Sequence, residues 1–197
     1  SAKCSAQNEC MDKTKYALSM LDTLLKDSKK QLKSALKYKK HPFRYFTLST
    51  LSLNGAPQSR TVVLRDFDSE NLILTIFTDS RSKKVEELKE DKRAELLFYD
   101  PNQLLQLTIK VNLTESKSSP EKFNQLPEPT KKDYCSLQGP GVSVKGPDAV
   151  KYDFEKGYFI KLKFQAYQIE YLKLKRPNHL RAKFLIEDGW QGKFLVP

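Results

Sequence analysis

Six side chains in the first half of the chain have the types and spacing to hold an anion: Arg60, Arg65, Thr78, Ser82, Lys83 and Lys84. Arginine offers a planar fork of donors that matches phosphate oxygens, and lysine adds a mobile point charge. Ser82, Lys83 and Lys84 fall where a helix is predicted to begin, and a helix start presents free N–H groups and partial positive charge. Strand ends bearing Arg60, Arg65 and Thr78, next to such a start, are the ingredients of a phosphate-monoester site. The competing reading is that these cations pair with Glu86, Glu87, Glu90 and Asp91, which are as near in sequence. Spacing alone leaves both open.

The elements that must position these groups follow from periodicity. Residues 12–40 read as one helix, with Ala17, Leu21, Leu24, Leu25, Leu32, Ala35 and Leu36 at three-to-four spacing. Asp12 can cap its start, and His41-Pro42 ends it, because proline disfavours helix in the residue before it. Residues 1–11 are expected to be extended or disordered. From residue 43 the period becomes two. YFTLSTLSL (45–53), the turn signal Asn54-Gly55, QSRTVVLRDF (58–67) and LILTIFT (72–78) read as a three-stranded meander. In it the strand of Arg60 runs antiparallel to the strand ending at Thr78.

SRSKKVEELKEDKRA (80–94) reads as a short helix, ELLFYD (95–100) and LLQLTIKVNLTE (104–115) as strands, and SSPEKFNQL (118–126) as another short helix. The proline- and glycine-rich stretch 127–150 is a long excursion, of the kind that is often functional or disordered. Strands at 158–174, 181–188 and 190–196 finish the chain, the last two joined at Asp188-Gly189. This is a mainly β chain with α elements: an antiparallel barrel over 43–197 decorated by helices, with an N-terminal helix, in a single domain over 12–197.

The totals narrow the partners. Thirty-five Lys and Arg against 24 Asp and Glu give a formal net charge of +11, which asks for anionic partners. Residues 26–40 hold seven lysines against one acid, yet no zinc-finger, helix-turn-helix or RNA-recognition signature accompanies them. A solvated basic helix face is the plain reading, and nucleic acid is not expected as a partner. No apolar run approaches the roughly 20 residues that span a bilayer, so no membrane role is expected. The polar N-terminal stretch has no apolar export core, and Cys4, Cys10 and Cys135 are too few and scattered for a disulfide framework or metal site. A cytoplasmic location is the default.

Catalytic motifs are scarce. Nothing resembles a Ser/His/Asp arrangement, paired carboxylates, a phosphate-cradling glycine loop or a metal cluster, and no catalytic residue is identified. His41 reads as a helix-end residue, His179 as a surface loop residue and Trp190 as core. Tyr134 and Cys135 are candidates to line a pocket beside Gln138.

Taken in order, R60-T-V-V-L-R65, F77-T78 before a basic serine-rich turn, E95-L-L-F-Y and Q106 resemble the pyridoxamine 5′-phosphate oxidase-like FMN-binding split-barrel flavoproteins. The likeness is closest to the branch known by its FMN-binding domain, covers about residues 41–115 well, and returns at Q168-I-E-Y and near the C-terminus. It implies FMN at the interface of a homodimer. By position, Arg60 and Lys84 would grip the phosphate with Ser82 and Lys83 beside them. The stretch Thr61, Val62, Val63, Leu64 and Arg65, with Phe77 and Thr78, would lie along the flavin and its ribityl chain. Gln106 would hydrogen-bond the flavin, Gln138 would come from the partner subunit, and Lys183 would keep a flavin-side positive charge. Arg65, His179 and Arg181 would face a small-molecule substrate.

The chain also departs from the oxidases proper. It has Q138-G-P-G where they have a glutamine followed by serines, and Leu172 where they have a tryptophan. It has His179-Leu180-Arg181-Ala182-Lys183 in place of their arginine-leucine-histidine-x-arginine motif. The resemblance therefore implies an FMN-dependent oxidoreductase for a small amine or alcohol. The alternatives are a flavin carrier or flavin reductase without that oxidase activity, and a basic nucleic-acid- or partner-binding β-barrel that holds no flavin.

Overall fold

The computed structural model describes residues 2–197, with side chains from Met11 onward, so the Cys4 and Cys10 thiols lie outside the described residues. Helix α1 spans Ala2–Lys37, starting ten residues earlier than the capping signal at Asp12 suggested. Residues 2–11, expected to be extended or disordered, belong to it. The stretch contains no glycine or proline, and good helix formers extend the turn already nucleated downstream. Its inner face buries Leu21, Leu24, Leu32 and Ala35 against the sheet, each leucine contributing about 1.5–3 kcal/mol relative to exposure. The Tyr171 hydroxyl, on the sheet, donates to Asp27 Oδ2 at 2.8 Å and fixes the helix in register. A turn at Pro42–Arg44 follows, started by His41, whose Nδ1 accepts from the Phe43 N–H.

Nine strands form one antiparallel sheet: β1 (Tyr45–Leu51), β2 (Pro57–Val63), β3 (Asp66–Asp68), β4 (Ile73–Asp79), β5 (Arg93–Asp100), β6 (Leu105–Ser118), β7 (Phe159–Lys173), β8 (Leu180–Leu185) and β9 (Gly192–Phe194). The order is β2-β1-β5-β6-β7-β4-β3, with β8 paired to β7 and β9 to β8. Strand β7 joins the halves. Its first part (159–165) pairs with β4 and its second (168–173) with β8, while β6 runs along its whole length. Register shifts at Lys110/Val111 and Leu113/Glu115 bend β6 where the halves meet. Inside, alternate residues such as Leu105, Leu107, Ile109 and Val111 pack with Phe46, Leu48, Phe98 and Phe164.

One expectation is corrected. The segment 58–67 is not a single return strand but breaks at Leu64-Arg65 into β2 and β3. Leu64 and Phe67 are both buried, and three-residue spacing cannot place two side chains on one face of a strand with period two. The chain therefore steps across: the Leu64 N–H donates to the Arg44 carbonyl and the Arg65 N–H to the Thr75 carbonyl. Strand β4 consequently pairs with β3 and β7 rather than β2, and the hydrogen-bonded path does not close between its two ends. The barrel is split beside Arg65.

Helix α2 (Lys83–Glu90) follows β4 directly. The excursion after β6 contains α3 (Pro120–Asn124), α4 (Glu128–Lys131) and a tight turn at Lys132–Tyr134. It is anchored by a second small core of Phe123, Tyr134, Cys135 and Phe159 against Phe77.

A candidate anion and flavin site at the barrel split

The split leaves a cavity of about 260 Å³ between β2, the end of β4, the start of α2 and the 133–140 turn. Thr61, Val62, Val63, Arg65, Phe77, Thr78, Ser82 and Lys84 line it, as do Asp79, Asp133, Tyr134 and Pro140. Eight of the predicted residues thus meet in one place. The polar end is a short chain of donors. Lys84 Nζ donates to Thr78 Oγ1 at 3.1 Å, and Thr78 Oγ1 lies 3.3 Å from Ser82 Oγ. Ser82 is the residue before α2, yet its side chain caps no helix N–H, being turned to Thr78 instead.

Burial holds the Lys84 ammonium below its ordinary pKa, with the Arg60 charge adding to the effect and Asp79 and Glu87 opposing it. A cation desolvated beside another cation is relieved by an anion. The Arg65 guanidinium, also on the cavity wall, lies 5.4 Å from the centre of the Phe77 ring. Burial also raises the Tyr134 hydroxyl above its usual value, with Arg65 acting against that shift.

Other predicted residues are placed differently. Arg60 does not line the cavity: its Nη2 is 2.9 Å from Glu87 Oε2, and its Nη1 donates to the Thr50 hydroxyl. The competing ion-pair reading is therefore correct for Arg60 with Glu87, whereas among the described residues no ion pair joins Lys83 or Lys84 to the nearby acids. Leu64 is core and contributes no side chain to the cavity. Lys83 is exposed. Gln106 and Lys183 lie on the outer face of the sheet, where Gln106 stands opposite Leu172 and Lys183 opposite Glu170. Gln138 is exposed beside Ser143, Val144 and Lys145. His179 accepts from the Lys175 N–H at 3.1 Å, and Arg181 is held by Glu170 at 2.6 Å. Cys135 is buried in the small core and does not line the cavity.

Sequence reasoning missed Arg81. Its guanidinium grips Asp79 at 2.7 and 3.0 Å, donates to the Ser136 carbonyl at 2.9 Å and lies 3.5 Å from the Tyr158 ring centre. That grip holds the turn carrying Tyr134 and Pro140 against the end of β4. The only sequence signal was one more arginine in the basic run SRSKK.

Residues 26–114 match the family described as pyridoxamine 5′-phosphate oxidase, FMN-binding domain. Over that segment the chain is similar to this family. Among curated relatives, a pyridoxine/pyridoxamine 5′-phosphate oxidase 2 from Arabidopsis thaliana is 46% identical over 55 residues, 28% of each protein. A pyridoxine/pyridoxamine 5′-phosphate oxidase from Colwellia psychrerythraea is 28% identical over 157 residues, 75% of this chain and 65% of that protein. The chain thus spans less than two thirds of either relative. Two solved structures share the fold. A pyridoxamine 5′-phosphate oxidase-related, FMN binding protein from Nostoc punctiforme aligns with TM-score 0.67 and 21% identity, over 84% of this chain and 94% of its own. PhzG from Burkholderia lata, solved with tetrahydrophenazine-1-carboxylic acid, aligns with TM-score 0.68 and 18% identity, over 89% and 92%. The open split barrel is the fold that this chain shares with these two proteins.

Proposed function

We propose that the chain binds FMN in the cavity at the barrel split and acts as an oxidoreductase on a small amine or alcohol. The observation that carries this reading is the Lys84–Thr78–Ser82 cluster, a desolvated cation and two hydroxyls at an uncapped helix start. These residues fit the terminal phosphate of FMN, while Val62, Val63 and Phe77 offer apolar surface to the ring system. FMN, when bound, supplies the two-electron acceptor that the side chains of this chain lack. The protein then orients the phosphate at Lys84, excludes water with the 133–140 turn and presents Arg65 at the mouth, where an anionic substrate group would approach.

The reading extends to a homodimer. At about 260 Å³ the cavity falls below the roughly 300–1,000 Å³ of pockets that enclose small-molecule ligands. Of the remaining predicted contacts, Gln106 and Lys183 sit on the outer sheet face and Gln138 is exposed outside the cavity of the same chain, and a two-fold partner would bring its own copies to the cavity.

A second reading is a flavin carrier or reductase without pyridoxamine phosphate oxidase activity. It is favoured by the use of His179 and Arg181, two of the predicted substrate residues, in contacts to Lys175 and Glu170. An absorbance band near ~450 nm in the purified protein, or its appearance on adding FMN, tests flavin binding. Protein that stays colourless with added FMN refutes both readings. Hydrogen peroxide released with pyridoxamine phosphate supports the oxidase, and its absence from a yellow protein supports the second reading.

A further inference from the structure

We propose that the outer face of α1 binds the sugar–phosphate backbone of nucleic acid, without regard to base sequence. Lys26, Lys29, Lys30, Lys33 and Lys37 all fall within an arc of about 100° on the helix, in a row about 16 Å long. Tertiary structure extends the row. Lys26 and Lys30 share a hollow with Lys173 and Lys175, which arrive from the end of β7 nearly 150 residues away in sequence. Among the described residues none of these seven lysines is in an ion pair. The one acid within 26–40, Asp27, borders the same hollow, but its carboxylate is engaged, accepting from the Tyr171 hydroxyl and from Gln31 Nε2.

A linear row suits a polyanion with repeated charges better than a single phosphate, which needs converging donors. A bilayer is disfavoured, because a helix that lies on a membrane sinks its apolar face into it. The apolar face of α1 is already buried against the sheet through Leu21, Leu24, Leu32 and Ala35. The exposed Tyr38 stands at the end of the row, with Lys37 Nζ 5.2 Å from its ring centre, and offers a surface on which a base can stack. None of these residues lines the cavity at the barrel split.

Fluorescence anisotropy with labelled duplex and single-stranded nucleic acids of about 20 nucleotides, at about 50 mM salt, tests the proposal. Binding of at least one form is expected, with log K falling against log salt at a slope of about −4 if five phosphates are engaged. The variant K26Q/K30Q/K33Q/K37Q should bind at least tenfold more weakly and lose most of that slope. Its circular dichroism and flavin titration should match the parent. If it does not fold, K30Q/K33Q should still flatten the slope by about 1.5–2. No binding of either form at low salt, unchanged binding by the folded variant, or capture by phosphatidylserine vesicles without nucleic-acid binding overturns the proposal.

Discussion

Lys84→Met separates a ligand-binding cation from a structural one, because the two roles predict opposite signs. In the folded chain the ammonium is held below its ordinary pKa of 10.5, first by burial and then by the Arg60 charge. Between that lowered value and 10.5 the unfolded chain binds more protons than the folded one, so this group makes stability rise with pH. At neutral pH the charged Lys84 is therefore an unfavourable element of the flavin-free protein. Methionine keeps most of the apolar stem and removes the charge, and Thr78 Oγ1 retains Ser82 Oγ at 3.3 Å. Thermal unfolding without flavin should not be lowered. FMN affinity should fall, since a hydrogen bond to a charged group contributes about 1.5–3 kcal/mol, or about ten- to hundredfold in Kd. The parent should also lose FMN affinity as pH rises toward 10.5, and the variant should not. Flavin-fluorescence titration across pH and calorimetry of the flavin-free protein read both effects. Unchanged FMN affinity, or a fall of about 3 °C or more in the flavin-free Tm, refutes the assignment.

Arg60→Ala should lower the unfolding free energy by about 2 kcal/mol even without flavin, as read by urea denaturation, because it leaves Glu87, only 6% exposed, with the Thr50 hydroxyl alone. An unchanged urea midpoint would show that the pair is dispensable. Arg81→Ala should free the 133–140 turn, so that FMN dissociates several-fold faster and limited proteolysis cuts the 136–146 segment sooner. Arg81→Lys should restore little, since one ammonium cannot span Asp79 and the Ser136 carbonyl together; equal protease resistance in all three proteins would count against the clasp. Tyr171→Phe should cost about 1 kcal/mol through loss of the bond to Asp27. Burial and that bond raise the Tyr171 pKa above 10.0, so its contribution is full below pH 10 and is lost as pH climbs higher. Thermal unfolding followed into alkali should show that decline in the parent and a flatter curve in the variant.

Much of this fold was legible from local pattern. The alternation in 45–51, 93–100 and 159–173 and the apolar stripe of α1 each write one buried face, and those elements form there, although α1 starts ten residues before its capping signal. The break at Leu64-Arg65 was hidden, because a run of β-formers does not reveal which residues alternate inward until the neighbouring strand is known. The site followed the same division. Thr78, Ser82 and Lys84 lie within seven residues and meet as expected, whereas Arg60 turned to Glu87. That choice depends on α2 packing beside β1 and β2, which spacing along the chain does not encode.

The sequence by itself determined the elements, the concentration of positive charge and the set of residues able to hold a phosphate, because residue type and short-range spacing fix those properties. Only the tertiary structure decided which cation stays free of acids, where the sheet parts to make a cavity and which distant turn closes it. Those outcomes rest on contacts between residues far apart in the chain, such as Arg81 with Ser136 and Glu87 with Arg60. Such contacts are fixed by the competition among buried groups for partners, and that competition is resolved only in three dimensions.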